Sequence, residues 1–173
     1  MLQQIVSPRW LRLLSLSLLT CTATLVLALS ATGCSGQKNA KVALKPLDNG
    51  RAMALIERVI VSSGKRAQPG RSFKLQELDF RESFYIDGLY GIAFLTEQDA
   101  VKYEKVLPKR DLQPGQLRLF RPAEGAIILL LYQDKYQYDA GEAHTVTVKT
   151  AEVELEKDVA DYVEQVVKQD KHP

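Results

Sequence analysis

The 173-residue chain has little cysteine, histidine or tryptophan: two, two and one. Both cysteines, Cys21 and Cys34, fall near the start. The rest therefore has no thiol to form a disulfide or to act as a nucleophile. Neither histidine, His144 nor His172, has a second histidine or a cysteine at metal-ligand spacing. No Gly-x-Ser-x-Gly elbow and no glycine-rich phosphate loop occurs. The expectation is a non-enzymatic protein without metal or diffusible cofactor, although a carboxylate pair assembled only in space leaves no sequence motif. An excess of one charge is missing too. The formal charge of +2 comes from Arg9 and Arg12, beyond which the basic residues balance the 21 acids. Phosphate backbones demand concentrated Lys and Arg, so nucleic acid is not an expected partner.

What is present begins with the first 36 residues. Arg9 and Arg12 precede a nearly unbroken apolar run over residues 13–29, and small residues lead to Gly33-Cys34-Ser35. A basic region, an apolar region and a small-residue cut site make an export signal. With cysteine first after the cut, the stretch resembles a bacterial lipoprotein signal. The resemblance implies cleavage before Cys34, diacylglycerol on its thiol and an acyl chain on its amine. Ser35, where Asp would favour inner-membrane retention, points to the outer membrane, facing the periplasm. Ala31 stands where that family usually has leucine. Three other readings stay open: an uncleaved membrane helix, an ordinary secretory signal cut elsewhere, and acylation at Cys21.

The expected organisation is a signal over 1–33, a flexible tether over 34–47 and one periplasmic domain over 48–173. Residues 53–62 (MALIERVIVS) are ambiguous. Leu55, Ile56, Val59 and Ile60 share a helical face with Asn49 as a candidate cap, while the run Val59-Ile60-Val61 favours the strand preferred here. Residues 63–71 (SGKRAQPGR) read as an exposed loop. Residues 72–78 alternate as a half-buried strand. Asp87-Gly88 reads as a two-residue hairpin turn, and Thr96 with Asp99 as a capping box opening a short helix. The aromatic-rich residues 84–94 read as core. Leu112-Gln113-Pro114-Gly115-Gln116 is a turn, and residues 117–120 a short strand. Residues 126–132 (AIILLLY) have the pattern of a strand buried on both faces. Residues 134–142 read as a loop or irregular edge. Residues 145–155 alternate with a change of parity near Lys149-Thr150, which predicts two strands joined by a bulge or turn. Glu152, Glu154 and Glu156 would line the exposed side there. Residues 157–169 predict an amphipathic helix with Val159, Tyr162, Val163, Val166 and Val167 on one face.

Pro69-Gly70-Arg71, then Leu75-Gln76-Glu77-Leu78, then the turn at Pro114-Gly115 and the AIILLLYQD strand are similar in order and spacing to the small outer-membrane lipoprotein of type VI secretion systems. The chain departs from that family in lacking its Asn-Pro-Asp loop motif and Trp-Arg strand, and in having the helix over 157–169. The resemblance implies a mainly β (α+β) fold: a two-sheet transthyretin-like β-sandwich with a short helical insertion, here with a C-terminal amphipathic helix. It also implies that the loop over 63–71 grips the periplasmic domain of an inner-membrane secretion protein, with Lys65, Arg66, Gln68, Pro69 and Arg71 as contacts. The alternatives are an accessory lipoprotein of another envelope assembly, pilotin- or chaperone-like, or a periplasmic small-molecule sensor or enzyme using residues 84–94 as its pocket.

Overall fold

The computed structural model of the protein describes residues 43–122, 124–141 and 144–169. In chain order these form β1 (Leu44–Pro46), α1 (Asn49–Ser62), β2 (Gln68–Pro69), β3 (Ser72–Leu75), β4 (Leu78–Arg81), β5 (Phe84–Ile86) and β6 (Tyr90–Leu95). Then follow α2 (Glu97–Tyr103), β7 (Leu119–Phe120), β8 (Ile127–Tyr132), a 3₁₀ turn (Gln133–Lys135) and β9 (Gln137–Asp139). The last element is α3 (His144–Tyr162), continued by a π-helical segment (Val163–Lys168).

β6 and β8 hold no exposed residue, so the sheet they join must be covered on both faces. They run parallel, with Ile92 opposite Leu129 and Phe94 opposite Leu131. Because side chains alternate, Tyr90, Ile92, Phe94, Ile127, Leu129 and Leu131 face one core, while Ala93, Leu95, Ile128, Leu130 and Tyr132 face another. The sheet order is β2-β5-β6-β8-β7, antiparallel except at β6-β8. α1 and α3 cover the first face. The β3-β4 hairpin and α2 cover the second. A separate two-stranded ribbon pairs β1 with β9.

The expected sandwich is therefore not what the chain forms. Among the described residues about 40% are helical, there is one five-stranded mixed sheet, and the other pairings are two-stranded. Two segments read as strand are helices. In α1, Asp48 rather than Asn49 caps the first turn, accepting from the Arg51 amide at 3.1 Å. Ala52, Leu55, Ile56 and Ile60 are buried against the sheet. The low helix propensity of Val59-Ile60-Val61 costs only some tenths of a kcal/mol per residue, less than the ~1.5–3 kcal/mol released by burying one such side chain. Gly64, at φ +79°, ends the element in a conformation other residues rarely adopt.

The second segment, residues 145–155, belongs to α3. Its change of parity is a helical stripe: Val148, Ala151, Leu155, Val159 and Tyr162 are buried at spacings of three and four. Val146 and Val153, which completed the strand pattern, are 69% and 54% exposed. Glu152 and Glu156 instead reach Arg51 and Arg58 of α1. The helix expected over 157–169 is the end of this longer one.

Other expectations hold in whole or in part. Thr96 accepts from the Asp99 amide at 3.2 Å and opens α2. The Gln116 amide closes the Pro114-Gly115 turn on the Gln113 carbonyl at 3.1 Å. The β5-β6 hairpin exists, but its loop has three residues, Asp87-Gly88-Leu89, because Ile86 pairs with Tyr90. The strand expected over 72–78 stops at Leu75: the chain turns at Gln76-Glu77, with Gln76 at φ +54°, and Leu78 opens the second strand of a hairpin. Leu44–Pro46, expected in the tether, pair with β9, and Leu47 is buried.

Candidate functional site

The five residues proposed as partner contacts divide on folding. Arg66, Gln68 and Pro69 are exposed, the last two on edge strand β2, which pairs with β5. Lys65 is tied to Asp87 at 3.1 Å. Arg71 is turned inward. Its Nε donates to Glu82 Oε1 at 2.6 Å and its backbone amide to the same oxygen at 3.0 Å. A second guanidinium nitrogen reaches the Gly88 carbonyl at 3.2 Å, and the group lies 4.1 Å from the Tyr85 ring centroid. Arg71 therefore holds the fold together instead of offering a free contact.

Its partner, Glu82, is 1% exposed and is the one charged residue among the buried side chains of the described residues. Two glycines make room for it. A Cβ on Gly91 would stand 1.8 Å from Glu82 Oε2, and one on Gly70 would stand 1.8 Å from the Glu82 carbonyl oxygen. Glu82 thus occupies the space beside β6 that a side chain at position 91 would fill. A hint lay in the sequence, since Glu82 has the parity of buried Phe80. The polar triplet Arg81-Glu82-Ser83 reads more simply as a turn.

The aromatic segment is core. Tyr90 and Phe94 are buried, and half-buried Phe84 packs on the same cluster. A cleft of about 260 Å³ lies elsewhere, where β7 stops and β8 runs on. Leu129–Tyr132 form its floor, the chain entering β7 (Gln116, Leu117, Arg118) one wall, and Arg110 and Asp111 another. Lys135, Tyr136 and Asp158 close it from the helix side. Three of its charged groups are arginine or lysine and three are aspartate. Arg110 pairs with Asp134, and Asp158 takes Lys135 at 2.5 Å and the Tyr136 hydroxyl at 2.6 Å.

Arg118 differs from the other two cations. No carboxylate of the described residues lies within ion-pair distance of it. Its Nη1 is shielded from solvent and donates to no acceptor. A shielded donor left unmade costs about 1–3 kcal/mol, more when charged. The guanidinium rests 5.1 Å from the centre of the Tyr132 ring, which Arg110 approaches at 4.6 Å. Burial raises the Tyr132 pKa, and the two arginines oppose that shift. Tyr136 is raised far more, by burial and then by its bond to Asp158. Both phenols are therefore neutral donors at ordinary pH. Nothing in Gln-Leu-Arg-Leu-Phe separates Arg118 from a solvent-facing strand arginine, so sequence reading passed over it.

Among the described residues no group of three or more His, Cys, Asp or Glu is placed to hold a metal ion, and no helix is long and apolar enough to cross a membrane. Cys34 and the apolar run over 13–29 lie outside the described residues. The side chains thus define a three-layer α+β domain with a half-buried arginine paired to a buried glutamate on one side and a charged cleft at the sheet edge. Compared with family models, curated proteins and solved structures, the chain matches none.

Proposed function

We infer that the chain is an envelope lipoprotein: a non-enzymatic binding domain tethered to the outer membrane through acylated Cys34. The observation that carries this reading is the leader, in which two arginines, an apolar run and Gly33-Cys34 stand in the order that lipid attachment requires. Two or three acyl chains anchor far more firmly than one, since each buried CH₂ adds about 0.8 kcal/mol. Residues 35–43 precede β1, and fully extended they would span at most about 30 Å. The tether would therefore hold the domain close to the leaflet and raise its effective concentration for a partner there.

Partner binding by the secretion-type route now rests on less. The resemblance implied a sandwich, and this fold is different. Of its implied contacts, Arg66, Gln68 and Pro69 remain as an exposed edge. Pro69 lacks an amide hydrogen, which disfavours extension of the sheet by a partner strand there, so contact would be through side chains. The test is mass spectrometry of the amino-terminal peptide after expression in a Gram-negative host. The expected result is an acylated Cys34, with Cys34→Ser protein leaving the membrane fraction. An unmodified terminus in a chain that still fractionates with membrane would overturn the reading.

A further inference from the structure

We propose that the free edge of β7, with the end of α3 beside it, takes up an extended segment of a partner protein as an added strand, a segment apolar toward the groove and carrying one carboxylate. The proposal rests on reading the chain as a binding domain, which it deepens, and not on the lipid anchor. β7 is an outer strand of the sheet. The Arg118 carbonyl accepts from the Leu130 amide at 2.7 Å, and Phe120 stands opposite Ile128. Bonded and non-bonded pairs alternate along an antiparallel ladder, so the N–H and C=O of Leu119, between them, point away from β8. Such an edge is a template for another strand. The opposite edge, β2, carries Pro69 and is blunted.

A groove of about 630 Å³ lies between this edge and the end of α3. Its apolar lining is Leu117, Leu119 and Val166, all half-buried, and its polar lining includes Gln116, Gln165 and Gln169, all exposed, so incoming side chains can reach both. No charged side chain lines it, in a chain that is 25% charged. The three apolar residues pack on the core under α1 and α3, so the groove is the open margin of that core. Gln165 and Val166 belong to the π-helical segment, a distortion frequent at functional sites. Just past β7 stands Arg121, exposed and with no carboxylate at ion-pair distance among the described residues. By alternation it shares the face of Leu117 and Leu119, and its charge acts on Tyr162 of α3. A segment whose alternate residues are acidic, apolar and apolar therefore complements Arg121, Leu119 and Leu117 when it lies antiparallel to β7.

The experiment is calorimetric titration of the full chain in phosphatidylcholine nanodiscs with the peptide acetyl-Glu-Thr-Val-Thr-Val-Thr-amide, with empty nanodiscs as blank. Expected are saturable binding with a Kd of about 0.1 mM or tighter and slowed hydrogen exchange at the Leu119 amide. N-methylation of both valine amides, which removes the strand's donors, should weaken binding about tenfold or more. Leu119→Pro removes the outward N–H of β7 without touching a bond to β8, and should do the same. Arg121→Glu should weaken this peptide and favour one with Lys in place of Glu. Should Leu119→Pro not fold, the N-methylated peptide decides alone. No saturable binding, equal binding of the N-methylated peptide, or unchanged affinity in a folded Leu119→Pro protein would each overturn the proposal. So would binding seen only in a chain ending at Gln169, which would make residues 170–173 the occupant, or pairing of two copies that Leu119→Pro abolishes. Failure of the peptide beside an acylated Cys34 would remove this site and leave the anchor standing.

Discussion

The two faces of the five-stranded sheet are covered by different means. On one, α1 and α3 present long apolar stripes, and the polar groups reaching that core are phenols with partners: Tyr162 donates to the Ile127 carbonyl at 2.5 Å and Tyr136 to Asp158. On the other, a hairpin with four-residue strands and the two-turn helix α2 cover a smaller, more aromatic core. There Phe80 meets Tyr103 and Phe120 edge to face at 5.2 and 5.6 Å. At the open end of this thinner cover Arg71 pairs with Glu82 and also reaches the Gly88 carbonyl of the β5-β6 loop, and the helical face has no pair with a buried carboxylate among its described ion pairs. Extended amphipathic helices bury enough apolar area to need no ionic fastening. A short hairpin, marginal by itself, is held here by charge-assisted bonds that fix its position over Gly91.

The largest effect that would break this contrast belongs to the hairpin face. Arg71→Ala should cost about 3–5 kcal/mol in chemical denaturation, because it leaves the Glu82 carboxylate buried and unpaired. Replacing both partners by Met should recover most of that loss. If Arg71→Ala were as mild as a surface change, the hairpin would not depend on the pair. Next comes Leu155→Ala on the helical face, expected to cost about 3 kcal/mol through lost burial and a residual cavity.

Tyr162→Phe should cost about 1 kcal/mol at neutral pH, through a carbonyl left without its donor. Its pH dependence sharpens the contrast. Burial raises the pKa of both Tyr162 and Tyr136, so above the unfolded value of about 10 the unfolded chain ionises where the folded one does not. The native state then binds more protons, and stability falls as pH rises past that point. Below it these phenols add no slope. In Tyr136→Phe and Tyr162→Phe proteins the alkaline fall, followed by thermal unfolding, should be shallower. The smallest effects are expected at the exposed bridges between α1 and α3. Arg51→Ala and Arg58→Ala should each change stability by less than about 1 kcal/mol, and a larger loss would mean that the helical face also relies on charge.

The legible parts were those where one local pattern had a single outcome. Seven consecutive apolar residues at 126–132 admitted only a strand covered on both sides, and β8 is that strand. Thr96 three residues before Asp99 marked the start of α2. Illegible were segments whose β-branched residues suit a strand while their spacing suits a helix. Residues 145–155 satisfy alternation twice, and four buried positions from Val148 to Val159 satisfy a helix once. The candidate site was least visible. Arg71 ends a polar loop and Arg118 stands between two leucines as a solvent-facing strand residue would, yet one is spent on Glu82 and the other lines a cleft.

The order of residues by itself determined the doubly buried central strand, the amphipathic character of the last helix and the absence of any cysteine after Cys34. Only the tertiary structure decided that α1 and the first half of α3 are helices and that Glu82 is interior. It also decided that Arg71 is spent on Glu82 while Arg118 lines a cleft. The physical reason is that backbone preferences differ by tenths of a kcal/mol per residue, whereas burial against a neighbouring surface is worth several times more. That surface exists only once strands distant in sequence have paired.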